Sequence, residues 1–269
     1  MGPLTGTRPG GPAPGPSGGE AGAVDGEPLL YVYAVVRSAD LDGPPVDPPP
    51  DVTLGGGLTT VEHRGLTAVV EPVPAADFAE APLRERLEDL DWLAAMARAH
   101  HGVVAAAGRR TTTVPLGLAT VRRGVPGVRR LLEEGESGLS EALGRLTGAH
   151  EWGIGLYVDE TPGRPGSAGG PPPDGRADTA SRIARELHET LARAAAEAVL
   201  RPPRGTHLSR TPGRNVLNAV YLVPDGGQRD FLDAVPGPDE APEGMRVEVS
   251  GPWLPYSFAR TAPDGNPEW

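Results

Sequence analysis

The sequence predicts an α+β fold with two domains. In the second half, strand-like and helix-like segments follow one another as strand, helix, strand, helix, strand, which favours a sheet with helices on one face. The 269 residues are enough for one large or two ordinary domains. We expect a disordered Gly/Pro-rich tail over 1–28, a first domain over 29–122, a second over 123–260, and a short disordered tail over 261–269. A second Gly/Pro-rich tract, 160–177, is expected to form a flexible loop.

Composition and charge argue against several classes of partner. All 25 basic residues are arginine, and with 36 acidic residues the net charge is 25 − 36 = −11. Nucleic acids and anionic membranes attract dense positive charge, so neither is expected to bind here. Because the chain has no Cys, disulfides and thiolate metal sites are excluded, which fits a reducing cytoplasm. No apolar run approaches the ~18–20 residues of a membrane-spanning helix.

Short runs of β-branched and aromatic residues predict the strands of the first half. Residues 29–36 form such a run and are expected to be a buried strand. The runs 58–62 and 66–71, separated by a short connection with a Gly, are typical of a β-hairpin. Residues 111–121 predict one further strand, whose proline and glycine mark an edge or a bulge. The Pro-rich segment 43–50 is expected to be a surface loop.

Apolar residues at spacings of three and four predict two long helices in the middle of the chain. The first covers 82–107, and Trp92 and Met96 form a second stripe on it, one turn apart. Such a stripe is either core or a groove for a partner. The second helix covers 126–147, and the two glycines in its middle leave open whether it is one kinked helix or two.

The second half alternates strands and helices. Strands are predicted over 150–159 and 216–223, and helices over 180–200 and around 228–235. A last strand begins at Met245, where apolar and polar residues alternate. Consecutive elements of this kind pack as one sheet with helices against it.

The last strand leads into a segment rich in aromatic residues, 251–259, which we call the aromatic cap. It places Trp253, Tyr256 and Phe258 among prolines that forbid ordinary helix or strand. In a chain with only 4% aromatic residues, such a group is expected to dock on the core. On that interpretation a Trp253→Ala substitution would cost about 3–5 kcal/mol, as truncation of a buried ring does. The alternative is that the cap is a binding surface.

No catalytic or metal-binding constellation is evident in the sequence. Gly153-Ile154-Gly155 lacks the third glycine of a dinucleotide fingerprint and lies within a predicted strand. The adjacent His100 and His101 point about 100° apart on a helix, so one is expected to pack and the other to be exposed. We therefore expect no catalytic, cofactor-binding or metal-binding residues.

Several blocks of the sequence, in order and at kept spacing over about 29–260, together resemble the gas vesicle proteins of the GvpF/GvpL type. Each block alone is weak, but their succession is specific. The blocks are Tyr31-Val32-Tyr33-Ala34-Val35-Val36, His63-Arg64-Gly65-Leu66-Thr67-Ala68-Val69-Val70, Trp92-Leu93 with Ala99-His100, Thr113-Val114-Pro115-Leu116-Gly117-Leu118-Ala119-Thr120-Val121, Leu146-Thr147-Gly148-Ala149-His150-Glu151-Trp152-Gly153, Val216-Leu217-Asn218-Ala219-Val220-Tyr221-Leu222-Val223 and Gly251-Pro252-Trp253-Leu254-Pro255-Tyr256-Ser257-Phe258.

The resemblance implies a modified ferredoxin-like N-terminal domain and a C-terminal α+β domain with long helices. It also implies a non-enzymatic accessory or minor structural protein of the gas vesicle, without cofactors, which contacts the small hydrophobic shell protein and other vesicle proteins. The segment 160–177 departs from the family, where this region is usually basic and helical. Any family function of that segment is therefore in doubt for this chain.

Two functional hypotheses follow from these observations. The first is a gas vesicle assembly protein that acts through its surface. Its candidate contact residues lie on the long helix and in the aromatic cap: Trp92, Met96, Trp253, Tyr256 and Phe258. The second is a small-molecule-binding α+β domain or enzyme, in which the 160–177 loop covers a pocket near His150 or His207.

Overall fold

The fold was determined as a computed structural model that describes residues 27–41, 53–159, 173–203, 213–237 and 239–259. The α+β prediction is confirmed, because the described residues form two antiparallel sheets with helices packed against them. The strands are β1 (Leu29–Arg37), β2 (Thr59–His63), β3 (Leu66–Val73), β4 (Thr113–Pro115), β5 (Val121–Arg123), β6 (Ala149–Val158), β7 (Glu197–Leu200), β8 (Arg214–Pro224) and β9 (Met245–Trp253). The α-helices are α1 (Ala75–Phe78), α2 (Glu80–Arg86), α3 (Leu90–Gly108), α4 (Gly124–Glu134), α5 (Glu136–Leu146), α6 (Pro173–Arg193) and α7 (Gln228–Asp233).

The first sheet has the order β2-β3-β1-β4, with β5 also paired to β1. This antiparallel order is that of a ferredoxin-like sheet. The predicted hairpin is confirmed: β2 pairs with β3 around a two-residue turn between His63 and Leu66. Arg64 and Gly65 both have positive φ, 46° and 82°, as a type I′ turn requires.

The single strand predicted over 111–121 is two short strands in the structure. Both β4 and β5 pair with β1, but the residues between them leave the ladder. In this connection Ala119 has a φ of 62°, and its backbone N–H donates to the hydroxyl of Tyr31 at 3.1 Å. The proline and glycine that indicated an edge or bulge therefore lie where the strand ends.

The helix predicted over 82–107 is also interrupted. α2 ends at Arg86, and α3 begins at Leu90. The carboxylate of Asp89 accepts hydrogen bonds from the backbone N–H groups of Asp91 and Trp92 at 3.0 and 3.2 Å, so it caps a new helix. Leu90, the first residue of α3, is exposed.

The segment predicted over 126–147 forms two helices. α4 and α5 meet at Gly135, whose backbone N–H donates to the carbonyl of Leu131 at 3.0 Å. A Cβ on Gly135 would lie 3.1 Å from the same carbonyl oxygen. The close turn between the two helices is therefore suited to glycine, as the sequence suggested.

The second sheet repeats the strand order of the first. Its order is β7-β8-β6-β9, so β6 lies between β8 and β9, as β1 lies between β3 and β4 in the first sheet. The helix predicted over 180–200 is wrong at its C-terminal end, where β7 pairs with β8. α6 in turn begins at Pro173, inside the tract 160–177 that was predicted to be a loop. Residues 160–172 of that tract, and the predicted loop 43–50, lie outside the described residues.

Three buried clusters hold these layers together. One lies between the first sheet and α1–α3, and one between the second sheet and the helices α6 and α7. The third lies between the other face of the first sheet and α4 and α5, and includes Val220, Leu222 and Phe258 from the second half of the chain. The predicted domain boundary between residues 122 and 123 stays a prediction. α4 and α5 follow this boundary in the chain but pack on the first sheet.

Candidate interaction surface at the aromatic cap

The aromatic cap begins where β9 pairs with the start of β6. Trp253 lies opposite Glu151, after an irregularity in the pairing that contains Gly251. Gly251 has a φ of 129°, and a Cβ there would lie 2.8 Å from the carbonyl oxygen of Glu151. Only glycine is therefore unstrained at this bend.

From Trp253 onward the cap leaves the second sheet and contacts α3. Leu254 packs beside Gly108 at the C-terminal end of α3, where a Cβ would approach Leu254 to 2.3 Å. The ring of Tyr256 stacks on His101, with centroids 6.0 Å apart, and its hydroxyl lies 3.3 Å from His101 Nδ1. The cap therefore connects the second sheet to the helical layer of the first.

Glu151 fixes the cap to the sheet. Its side chain accepts hydrogen bonds from the backbone N–H of Ser257 at 2.9 Å and from the Ser257 hydroxyl at 2.7 Å. The guanidinium of Arg201 lies 3.8 Å from the same carboxylate and also donates to the Ser257 hydroxyl. Because Glu151 is only 7% exposed, these donors replace the water that its carboxylate loses on burial.

Phe258 inserts into the cluster that joins the two halves of the chain. It is 3% exposed, and its carbonyl accepts a hydrogen bond of 2.6 Å from Arg145 on α5. Arg145 Nε in turn lies 2.6 Å from a carboxylate oxygen of Glu197 on β7. The end of the cap is thus held by side chains from α5 and β7 as well as by burial.

The five residues considered as partner contacts have unequal exposure. Met96 is 2% exposed and Phe258 is also buried, while Trp92 and Tyr256 are half-buried. Trp253 differs from the rest of the cap, because it is 52% exposed. The expectation that Trp253→Ala costs about as much as truncation of a buried ring is therefore wrong. The interpretation that the rings of the cap dock on the core holds for Phe258 and fails for Trp253.

The sequence did not indicate a buried polar network between the first sheet and α3. Glu71 accepts hydrogen bonds from the Tyr33 hydroxyl at 2.5 Å and from the backbone N–H groups of Leu54 and Gly56 at 2.9 and 2.6 Å. The Tyr31 hydroxyl, which accepts from Ala119, lies 3.0 Å from His100 Nδ1. The network attaches the 54–56 loop to the sheet and satisfies its own polar atoms.

Burial governs the ionisation of this network. It lowers the pKa of His100 to about 4, with a smaller contribution from the neighbouring His101, so the imidazole is neutral at pH 7. It also raises the pKa of both tyrosines, and the hydrogen bond to Glu71 adds to the rise for Tyr33. As expected from their adjacent positions on a helix, His100 is buried and His101 is exposed.

Two depressions lie on the described surface. One of about 240 Å³ is lined by residues of β6 and β9, including Gly153, Gly155 and Ser250. Another of about 310 Å³ lies beside α4. Both volumes are at or below the lower end of small-molecule sites, about 300–1,000 Å³.

Neither depression includes the histidines of the pocket hypothesis. His150 contacts Asp225 at 2.8 Å and does not line either depression, and His207 lies outside the described residues. Within the described ranges no group of three or more potential ligands is placed to hold a metal. In the same ranges, no helix has the length and apolar character needed to cross a membrane.

Comparison with known proteins decides the family. The profile of the family described as gas vesicle synthesis protein GvpL/GvpF matches residues 29–165 and 174–260. The chain belongs to this family. The GvpL/GvpF match includes every strand of the described residues and the whole aromatic cap.

Individual members of the GvpL/GvpF family resemble the chain over most of its length. Gas vesicle protein L of Streptomyces sp. (strain CB03234) is 42% identical over 257 residues, which are 87% of this chain and 94% of the relative. The crystal structure of GvpF from Anabaena sp. PCC7120 superimposes with a TM-score of 0.62 at 18% identity, covering 90% of this chain and 100% of that one. GvpF from Microcystis aeruginosa gives 0.56 at 17% identity, covering 86% and 99%. These two structures support the fold.

Proposed function

We propose that the protein is a non-enzymatic accessory or minor structural component of gas vesicle assembly, which binds the small hydrophobic shell protein and other vesicle proteins through its surface. Membership of the GvpL/GvpF family supports a role in the gas vesicle. An apolar shell subunit tends to aggregate before it is assembled. A partner with a net charge of −11 is suited to keep such a subunit in solution.

The observation that carries the contact surface is the exposure of Trp253. The cap around it is held by Glu151, Arg145 and the burial of Phe258, so the indole is presented from a fixed backbone. Large aromatic side chains on a fixed backbone are typical centres of binding energy, because little conformational entropy is lost when they are covered. Tyr256 and Trp92 are half-buried rings, whereas Met96 and Phe258 are buried in two of the core clusters.

Binding of the shell protein by purified full-length variants tests the proposal. We expect wild-type protein to retain the shell protein in a pull-down, and Trp253→Ala to weaken the affinity by about tenfold or more, as loss of a central aromatic contact does. Leu90→Ala is the matched control, because Leu90 is an exposed apolar residue on α3 outside the cap. It should leave the affinity unchanged.

The same variants should be compared for vesicle formation in cells. Trp253→Ala is expected to reduce the number of vesicles while the protein remains folded. The proposal is wrong if wild-type protein binds no vesicle protein, or if Trp253→Ala binds as well as Leu90→Ala does.

A further inference from the structure

β9 is an edge strand whose outer side has no partner among the described strands. It pairs with β6 on one side only. Its first part, residues 245–250, contains neither proline nor glycine. Each of these six residues is paired with β6, and the irregularity in the pairing lies beyond them, between Gly153 and Glu151. Such an edge presents a row of backbone N–H and C=O groups that a second strand can join.

The two faces of β9 differ in chemistry. Val247 and Met245 lie opposite Leu156 and Val158 and pack with the cluster beneath α6. Arg246 and Glu248 lie on the other face, where Arg246 is opposite Tyr157 and its guanidinium carbon lies 5.5 Å from the centre of that ring. Apolar and charged residues therefore alternate along the edge.

This alternation is complementary to itself. If two copies of β9 pair antiparallel about a two-fold axis at Val247, Arg246 of one copy faces Glu248 of the other, and the reverse pair forms by symmetry. On the opposite face, Met245 of one copy faces Val249 of the other. Val249 is 43% exposed in the single chain, so this pairing would cover it. Directly opposed residues of unlike charge or of apolar type stabilise an antiparallel pair.

Other two-fold registers do not have this property. An axis at Arg246 places the two guanidinium groups opposite each other, and an axis at Glu248 does the same for the two carboxylates, which is destabilising. An axis at Val249 places Arg246 opposite Pro252, which has no backbone N–H to donate. Val247 is the centre at which each charged residue faces an opposite charge on the other copy, in addition to the ion pair of 3.7 Å between Arg246 Nε and Glu248 Oε1 within each chain.

We propose that β9 pairs with β9 of a second copy of this chain, in the register centred on Val247. The pairing joins the two four-stranded sheets into one continuous sheet of eight strands. One short strand pair is smaller than a standard protein interface, so the dimer is weak and forms at high local concentration, as on a growing assembly. Because charge pairs contribute to it at the surface, added salt weakens it.

Charge reversal on full-length protein tests the register. Arg246→Glu leaves each edge with two carboxylates, and Glu248→Arg leaves each with two guanidinium groups, so neither variant can pair with itself in this register. By sedimentation velocity over a range of concentrations, we expect each variant to dimerise about tenfold more weakly than wild type. An equimolar mixture of the two should dimerise like wild type, and so should the variant carrying both substitutions.

Recovery in the mixture separates pairing from folding, because a misfolded variant does not regain a partner when the other is added. Asp159→Asn is the matched control: it removes the carboxylate 3.9 Å from Arg246 within the same chain and should not change dimerisation. The proposal is overturned if wild-type protein is monomeric at every concentration, if its dimer is insensitive to both reversals, or if the mixture does not recover. Binding of a vesicle protein at this edge in place of a second copy would also overturn it.

Discussion

The two sheets of the molecule share one strand order but are covered differently. Helices pack on both faces of the first sheet, α1–α3 on one side and α4 and α5 on the other. In the second sheet, α6 and α7 pack on one face, and the other face contributes Val220 and Leu222 to the shared cluster. The same topology therefore gives a sheet with helices on both faces in one half and, in the other, a sheet whose edge strand β9 ends in an exposed indole.

The aromatic cap lies between these two environments, and its residues divide accordingly. Phe258 enters the shared cluster, whereas Trp253 stays at the edge of the second sheet. Aromatic residues that are neighbours in sequence therefore have different roles in the fold. The following four experiments test this difference between the two halves.

The largest effect is expected at Phe258. Phe258→Ala removes a ring that is buried where the two halves of the chain meet. We expect the free energy of unfolding to fall by about 3–5 kcal/mol, because a cavity remains between packed layers. Urea denaturation followed by tryptophan fluorescence measures it. A loss below about 1 kcal/mol would show that the cap does not connect the two halves.

The next effect concerns His100, which is buried in the first half. Burial lowers the pKa of His100 from 6.5 to about 4 in the folded chain. As pH falls from about 6.5 to about 4, the unfolded chain therefore binds a proton at this imidazole that the folded chain does not bind. The neutral imidazole therefore contributes its full stability above about pH 6.5. As pH falls to about 4, the free energy of unfolding decreases by at most about 3 kcal/mol.

Urea denaturation at several pH values between 7 and 4.5 measures this dependence. We expect His100→Phe to have a flatter profile than wild type. His101→Gln, which changes the exposed neighbour, should keep most of the wild-type slope, because burial is the main cause of the lowered pKa of His100 and His101 is a smaller one. Other groups that titrate near this site, including Tyr31, Tyr33 and Tyr256, do so at higher pH because burial raises the pKa of each. Parallel profiles for wild type and His100→Phe would contradict the expectation.

A smaller effect is expected at Glu151, which holds the cap to the second sheet. Glu151→Gln keeps the shape of the side chain but removes the negative charge. That charge accepts two hydrogen bonds from Ser257 and lies beside the guanidinium of Arg201. We expect a loss of about 1.5–3 kcal/mol, the range for a hydrogen bond to a charged group. Glu62→Gln, at an exposed position of β2, should change stability by less than about 0.5 kcal/mol.

The smallest effect on stability is expected at Trp253, where the indole is half exposed. Trp253→Ala should lower the free energy of unfolding by no more than about 1.5 kcal/mol, because only part of the ring is removed from water in the folded chain. The contrast with Phe258→Ala, measured under the same conditions, is the sharpest test of the divided cap. Equal losses for the two variants would show that Trp253 is structural after all.

Local features of the chain were predicted well where neighbouring residues determine them. The β2–β3 hairpin follows from two residues that accept positive φ, and the break between α4 and α5 follows from a glycine between two apolar periodicities. The family was also predicted, from an ordered series of short blocks. The break before α3 was missed, although Asp89 is a good N-cap residue, because the apolar spacing continues across it.

Features that depend on distant neighbours were not predicted. Residues 197–200 were assigned to the helix predicted over 180–200 from its apolar spacing, but pairing with β8 makes them a strand. Glu71 and Glu151 are single carboxylates in apolar strands. Their neighbours in sequence do not indicate which groups donate hydrogen bonds to them. Ser257 is separated from Glu151 by 106 residues.

The α+β class, the family, most strands and helices, and a cap in which aromatic residues alternate with prolines could all be predicted from the amino-acid sequence. Which ring of that cap is buried, which strand lies at the edge, and which carboxylates are buried became known from the packing of the sheets and helices. The physical reason is that backbone preferences act between residues close in the chain. Burial and strand pairing are set by surfaces that meet only when the two sheets and their helices are assembled.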